Sequence, residues 1–518
     1  MEQIEYNWLT GHLAQANSGL LAEFSELYSN HYGTWSQSVP KQEGKGPEAG
    51  GKIRLSPLRI RQWLEDPDSL VYYAKCNGNC IGYAIAIRKR VKDYGVVSWV
   101  TQLVVRKDFR NQGIAKRLLF SFWGLSDDFA WGILSANPYA VRALEKATRR
   151  RSVPMRIRKH IGKLMEIGAD ALPYLSHDTE YLVDANHSSV NTEFFVDHAE
   201  IPDMLRRAVT ESAPWLLGDL PEGWEWVAFT FRDQEQIKLS KPEIEKMITA
   251  SDEIAKQAYS RMQMDKHPWA KHTDKECRFI LRECGLKAGM SAIDFGCGIG
   301  RHANALAARG IRVVGVDYVE SHIDAAREKS HGNANVRFLT GDCRTADLTA
   351  DGLYDAAICV YDVIGSYAKR ESNQMILDNI AKHLKKGGIA ALSVMNYELT
   401  LAKATHKFIF RQEPDKLLSL NPSATMEESG DIFQPDYLMI DEETHIVYRR
   451  EQFKRGTEIP VELVVQDRRF SMSEIKAMCE KAGLKVLLSR YVNASDWDLP
   501  LEATDERAKE ILLKCEKI

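Results

Sequence analysis

From residue 291 onward, five short apolar runs recur with helix-length segments between them: SAIDFG, RVVGVD, VRFLTGD, YDAAICVY and GGIAALSVM. This alternation admits few folds. A parallel strand needs a long crossover before the next strand can pair with it, so the pattern predicts an α/β, doubly wound, Rossmann-like parallel sheet. Residues 437–470 break the rhythm with the strand-like runs DYLMID, HIVYRREQF and VELVVQDRRF, which predict an antiparallel lid inserted over about 400–470. A helix then starts at Ser471 with Glu474 as its capping box, and LKVLLSRYV and KEILLKCEK finish the sheet as a pair.

The first 235 residues follow another pattern. Residues 70–90 read as two strands joined by the turn Asn77-Gly78-Asn79, and 96–105 as a third strand. A helix opens at Gly113, WGILSAN at 131–137 reads as a strand, and Pro138 to Arg150 as a helix. NTEFFVDH and EWVAFTFRD supply late strands with a helix between them, giving a mixed sheet with helices. Residues 37–52 form a polar loop rich in Gly and Pro. A length of 518 residues exceeds one ordinary domain, and we expect a domain over 1–235, a linker over 236–264 and a second domain over 265–518.

Composition limits the class. With 44% hydrophobic and 27% charged residues the chain reads as soluble and globular, and no apolar run approaches the roughly 20 residues of a membrane helix. The N-terminus MEQIEYNWLTGHLAQ carries no basic segment leading into an apolar one, so no signal peptide is expected. Nine cysteines without a second close pair predict no metal site and fit a reducing cytoplasm. The net charge of −3 hides an asymmetry, because Cys80 to Met165 holds 18 Lys and Arg against 5 Asp and Glu. That face, with its block RRRSVPMRIRKHIGK, suits cofactor phosphates, a nucleic acid, or simply solvent.

AIDFGCGIG, residues 292–300, ends a strand with Gly296, Gly298 and Gly300 ahead of a helix. Asp294 precedes the glycines, Asp317 ends the next strand, where a carboxylate can bridge two ribose hydroxyls, and Gly341-Asp342 ends the third. Arg301 stands where the dinucleotide spacing G-x-G-x-x-G requires glycine. The constellation resembles class I S-adenosylmethionine-dependent methyltransferases over about 265–518. The resemblance implies Asp294, Gly296 and Gly298 at the methionine end, with Cys297 and Gly300 in the same loop. It implies Asp317 at the ribose, and Asp342 with Cys343 at the adenine. Tyr361 and Asp362 follow the fourth strand and are the candidate catalytic residues. No Asn- or Asp-Pro-Pro-aromatic sequence and no Pro-Cys stands there, which points to a small-molecule acceptor under the lid. Tyr259 and Trp269 are candidates to cover the donor.

In VVRKDFRNQGIAKRLL, from Val104, a strand passes through a charged turn into a helix whose first residues are small. A helix N-terminus offers unpaired N–H groups and the positive end of its dipole to a phosphate. Arg110-Asn-Gln112-Gly113-Ile-Ala115 resembles the R/Q-x-x-G-x-G/A loop of the GCN5-related N-acetyltransferases, and the resemblance extends to Ser135-Ala-Asn137. It implies that residues 111–116 wrap the pyrophosphate of coenzyme A, while the strand ending at Val105, with Asn137, meets the pantetheine arm. Members often carry a Glu base where this chain has Thr101, and a Tyr where it has Leu144; neither replacement exchanges a proton at neutral pH.

The sequence therefore predicts a bifunctional cytoplasmic enzyme using S-adenosylmethionine and acetyl-CoA on small molecules. Two alternatives stay open: a methyltransferase whose first half only binds or regulates, and an RNA-directed acetyltransferase that uses the basic region. The acceptors and the oligomeric state are left open.

Overall fold

A computed structural model describes residues 4–40, 47–123, 128–210, 213–238, 240–248, 259–265, 267–453, 462–494 and 496–518. The described residues divide into two compact units, those up to 238 and those over 240–453 and 462–518. The middle of the Gly/Pro-rich loop, 41–46, lies outside the described residues, as does the side chain of Trp269.

The first unit is one eight-stranded mixed sheet. Its strands are β1 (Ile4–Thr10), β2 (Ser69–Cys76), β3 (Asn79–Val91), β4 (Gly95–Val105), β5 (Ala130–Ser135), β6 (Tyr181–Val183), β7 (Ser188–Phe194) and β8 (Gly223–Phe231). They lie in the order β1-β2-β3-β4-β5-β8-β7-β6. Asn77 and Gly78, with φ of 50° and 80°, turn the β2–β3 hairpin as the sequence predicts. Strand residues alternate between two cores. Ala84 and Ala86 face the helices Ile114–Trp123, Pro138–Thr148 and Pro154–Ala171, while Tyr83 and Ile85 face Ser18–His31 and Pro57–Trp63. The one parallel pair, β4 with β5, is joined from Val97–Ala130 to Val100–Ile133 and then parts, leaving the Thr101–Val105 end of β4 bound only on its β3 side.

Much of the basic block is tied into this unit. Arg142 and Arg151 both reach the buried Glu145, Arg156 pairs with Asp233, and Arg150 donates to the carbonyls of Thr148, Arg232 and Gln234. Arg158 and Lys159 remain exposed.

The second unit is Rossmann-like. Its main strands are β9 (Ser291–Phe295), β10 (Arg312–Asp317), β11 (Val336–Thr340), β12 (Tyr354–Cys359), β13 (Leu384–Met395), β19 (Leu484–Asn493), β20 (Asp496–Leu501) and β21 (Glu510–Lys517). They run β11-β10-β9-β12-β13-β21-β19-β20, parallel from β11 to β13, with β21 antiparallel to β13. Helices Arg370–His383 and Met472–Lys481 cover one face; Thr273–Glu283, Arg301–Ala307 and Glu320–Lys329 cover the other.

The insertion forms a second sheet from β14 (His406–Phe408), β15 (Pro422–Ser423), β16 (Met439–Asp441), β17 (Ile446–Gln452) and β18 (Glu462–Arg468). Its runs over 437–470 form the antiparallel lid that the sequence predicts, and two short parallel additions join them. β16–β17 and β17–β18 are antiparallel, but β14–β16 and β15–β17 are parallel, because short segments 406–408 and 422–423 return through loops instead of hairpins. The capping box is only half formed. Ser471 Oγ accepts from the Glu474 amide at 3.2 Å, but the Glu474 carboxylate is drawn off to Arg468 and His445.

Candidate functional site

Ligands of open α/β sheets sit at the carboxyl edge of the parallel strands, where the strand order reverses. In the second unit that reversal falls between β9 and β12, and a cavity of about 500 Å³ opens there. Its floor is the glycine loop. Gly296 and Gly298 have φ of 74° and 52°, in the left-handed region. A Cβ on Gly296 would stand 2.4 Å from Val363 Cγ2, and one on Gly298 2.8 Å from Met264 Cε. At Gly296 a side chain would collide with Val363, and at both places the left-handed backbone favours glycine. Gly300, whose Cβ would strike Phe338, leads into the helix Arg301–Ala307, and of the three glycines Gly296 alone is among the residues that line the cavity.

Asp317 organises the loop. Its carboxylate accepts from the Gly298 amide and from the Val319 amide, each at 2.9 Å. Burial pushes its carboxyl above the usual range, opposed by these amides and by His322. Asp294, at the end of β9, is buried, and its Oδ2 has no hydrogen-bond partner. Burial pushes its carboxyl up to about 6. Cys297 and Cys343 line the cavity with thiols that burial holds well above their ordinary value, so both act as neutral apolar groups.

Other sequence candidates are placed differently. The Asp342 carboxylate is taken by Arg344, at 2.6 Å from Nη2, and Asp342 does not line the cavity although Cys343 does. Tyr361 lines the cavity with φ of 68° and donates its hydroxyl to Glu276. Arg301 lies over its ring at 5.3 Å, and Glu276 also accepts from Arg301 and pairs with His302. Burial, with the charge of Glu276, holds the phenol well above its ordinary value. It is an engaged donor and not a base. Asp362 also lines the cavity, its carboxyl raised by burial and by the charge of Asp467. Tyr259 lines the wall with a buried, unpartnered hydroxyl.

Glu510 carried no functional signal in the sequence. It is the first residue of β21, opposite Met395 at the end of β13, and is 1% exposed. It lines the cavity, and its Oε2 has no partner. Burial pushes its carboxyl up to about 8, against a hydrogen bond from Ser393.

In the first unit, Asn111 and Gly113 have φ of 64° and 83° just before the helix Ile114–Trp123. A Cβ on Gly113 would meet nothing within 4 Å, so the loop backbone is open on that side. Left-handed residues at a helix start turn successive N–H groups inward as an anion nest. The side chains of Arg110 and Gln112 brace this loop. Arg110 donates to the Val105 carbonyl at 3.2 Å and to that of His31, and Gln112 to the Asp108 carbonyl at 3.1 Å. Ala115 is half-buried. Val105 pairs with Gly82 as the last residue of β4, and Asn137 caps the helix Pro138–Thr148 through the Tyr139 amide. Thr101 Oγ1 donates to the Ile85 carbonyl at 3.3 Å, and Leu144 is fully buried. Neither faces the work of a base or an acid. Glu225 on β8 is a buried carboxyl near the end of β5, pushed by burial up to about 7.

A glycine cradle at the switch point of a parallel sheet defines a Rossmann-like ligand site. Comparison with known proteins makes both units particular. Residues 292–388 match the methyltransferase domain model, and residues 38–146 match that of the acetyltransferase (GNAT) family. The chain carries a GNAT-family domain and a methyltransferase domain. It is 36% identical over 107 residues to a ubiquinone biosynthesis O-methyltransferase of Rickettsia akari (strain Hartford), covering 21% of this chain and 41% of that protein. It is also 36% identical over 104 residues to the cypemycin N-terminal methyltransferase of a Streptomyces species, covering 20% and 41%. The chain thus spans about two fifths of these relatives' length. The solved CcbJ methyltransferase from Streptomyces caelestis aligns at 16% identity over 48% of this chain and 95% of that one, with a TM-score of 0.35. Among the described residues, no helix is long and apolar enough to cross a membrane.

The buried carboxyls set a pH dependence. Asp294 rises from 3.8 to about 6, and Glu510 from 4.5 to about 8, so the folded state binds more protons than the unfolded chain. Their stabilisation is complete below the unfolded values and is lost as pH rises through the folded ones. The thermal midpoint of the ligand-free protein should fall between about pH 5 and pH 8. Glu510→Gln should flatten the upper part of that fall. A wild-type midpoint that rises across this range would contradict the assignment of both carboxyls.

Proposed function

We propose that the chain is a bifunctional enzyme that transfers a methyl group from S-adenosylmethionine to a small-molecule acceptor and an acetyl group from acetyl-CoA to an amine. The observation that carries the first activity is the orphaned Asp294 Oδ2 beside a glycine cradle that any Cβ would fill. A buried carboxylate oxygen without a donor is costly unless a ligand supplies one, and the amino group of the methyl donor is such a ligand. A carboxylate has about four acceptor positions. Asp317 commits some of them to the Gly298, Val319 and Tyr318 amides and keeps acceptor capacity for a ribose hydroxyl. When bound, S-adenosylmethionine supplies a sulfonium methyl for in-line displacement, so the chain's own task is alignment and exclusion of water. Val363 and Cys343 close the donor end, and Phe433 and Ile432 wall the other. The names of the two relatives place the methyl on oxygen in one and on an N-terminus in the other, which leaves the acceptor of this chain to its own residues.

S-adenosylmethionine should bind at micromolar strength, and Asp317→Ala should weaken it about tenfold or more. The loss of charge-assisted hydrogen bonds is worth roughly 1.5–3 kcal/mol. Calorimetry on both proteins checks this, and equal affinities would remove Asp317 from the ribose.

For the first unit, the open nest at Asn111–Gly113 supports coenzyme A binding, and Glu225 supplies the buried carboxyl that Thr101 does not. A carboxyl titrating near neutrality suits general-base work on an ammonium acceptor. The second reading, a binding or regulatory module, rests on the buried Leu144 and the engaged Thr101. Gly113→Glu should abolish acetyl-CoA binding through bulk, backbone strain and like charge, with S-adenosylmethionine binding unchanged. Acetylated product from an amine panel, diminished by Glu225→Gln, supports catalysis. Acetyl-CoA binding without product favours the module, and absence of binding removes acetyl-CoA from the first unit.

A further inference from the structure

The cavity of the second unit divides along the sheet. The donor carboxylates belong to β9 and β10: Asp294 is the last residue but one of β9, and Asp317 ends β10. The opposite side, over β12, β13 and β21, is left for the acceptor, and its polar groups can be counted. Lys509 is paired with Asp431 at 3.0 Å. Arg301 bonds Glu276 and Thr273, and His302 bonds Glu276. Tyr361 donates to the same Glu276. The buried Arg469 does not line the cavity; it lies at 5.2 Å from the Phe433 ring and 3.7 Å from Asp467. The cations are engaged or set back. Two carboxyls remain on the wall, Asp362 and Glu510, and Glu510 keeps a bare Oε2 while 1% exposed.

Glu510 is also fixed in place. Ser393 Oγ accepts from the Tyr361 amide at 2.6 Å and its hydroxyl reaches Glu510, so β12, β13 and β21 lock together at this point. The groups acting on Glu510 from neighbouring elements are Glu276, Asp362 and Arg301, two of them acidic. Met395 stands opposite it across β13 and β21 and packs with Ile432 and Phe433, an apolar part of the wall that rewards a ligand with an apolar body.

We propose that the acceptor is an amine on an apolar body, that Glu510 gives up its own carboxyl proton to solvent as it receives the ammonium group, and that the ammonium N–H bond then breaks as its proton passes to Glu510 Oε2. The transfer leaves a neutral nitrogen with a free lone pair and a neutral carboxyl. Desolvation favours that direction, because it disfavours the charged form of both partners. The inference rests on the methyl-transfer reading for the fate of that lone pair, but the amine site is defined by the chain's own residues.

The test uses the full chain saturated with S-adenosylhomocysteine and three probes of one size: 2-phenylethylamine, 2-phenylethanol and 3-phenylpropionate. Calorimetry near pH 7 should find the amine bound about tenfold or more tighter than the others, a difference of about 1.4 kcal/mol. Repeating it in buffers of different ionisation enthalpy should count about one proton released per amine and none per alcohol. Glu510→Gln should erase both the preference and the proton release, and Glu510→Asp should restore part of each. Three probes binding alike or not at all, a preference for the acid, or an amine preference that survives Glu510→Gln would each overturn the proposal. S-adenosylhomocysteine binding is measured separately. If it fails, the methyl-transfer reading falls, and the same probe series on the free protein still decides the amine site.

Discussion

The carboxylate of Asp317 keeps the second unit's cavity open. A loop with two left-handed glycines has many other conformations available, and glycine loses more freedom than any other residue when fixed. Asp317 offsets that loss with two charge-assisted bonds, one into the loop at Gly298 and one to Val319 ahead of the helix Glu320–Lys329. Because β9 and β10 are adjacent and parallel, the end of one strand can reach the loop that leaves the other. The floor of the cavity and the position of Val363 against Gly296 follow from that tie, beside the buried, unpartnered Asp294 Oδ2.

Where the parallel strands end also decides what the rest of the cavity can hold. Glu276 gathers Tyr361, Arg301 and His302 around one carboxylate. This cluster satisfies itself, and a self-satisfied polar network contributes rigidity more than reactivity. Reactive capacity is left with groups whose lone pairs or protons have no such partner. Tyr361, a natural candidate by position, is thereby removed from base duty by its own hydrogen bond. Glu510 takes its place because nothing on the wall answers its Oε2.

The parts of this protein that the sequence makes legible are those fixed by local rules. Apolar periodicity locates β9 to β13, the Asn77-Gly78 turn locates a hairpin, and the spacing of Gly296, Gly298 and Asp317 locates the glycine loop and the carboxylate that ties it, because each depends on residues close together in the chain. What stays hidden depends on partners far away. Arg344 capturing Asp342, Arg468 drawing Glu474 from its helix cap, and Glu276 engaging Tyr361 are competitions for a charge that spacing does not register. The edge strands β1 and β20 are equally silent. β1 alternates half-buried and exposed residues without a strong apolar face, and β20 carries Pro500, which is tolerated at a sheet edge and argues against a strand when read alone.

The two titratable carboxyls that the sequence does not reveal share a topological origin. β8 runs antiparallel to β5, and β21 runs antiparallel to β13. An antiparallel neighbour begins where its partner ends, so its first residues are delivered to the carboxyl edge at which an α/β sheet binds ligands. Glu225 stands two residues after the start of β8, beside the end of β5; Glu510 opens β21, opposite the end of β13. Both arrive late in the chain of their unit, after the cofactor loop is already specified by earlier strands. The division of labour follows from this order. Parallel strands and the helices after them supply backbone N–H groups and glycines, which suit phosphates and nucleosides and exchange no protons. The antiparallel closing strand adds one side chain at the same edge, buried by the sheet it completes, and burial is the largest cause that moves its carboxyl toward neutrality. A sheet closed by one more parallel strand would bring that strand's first residues to the opposite edge and leave both sites without such a group.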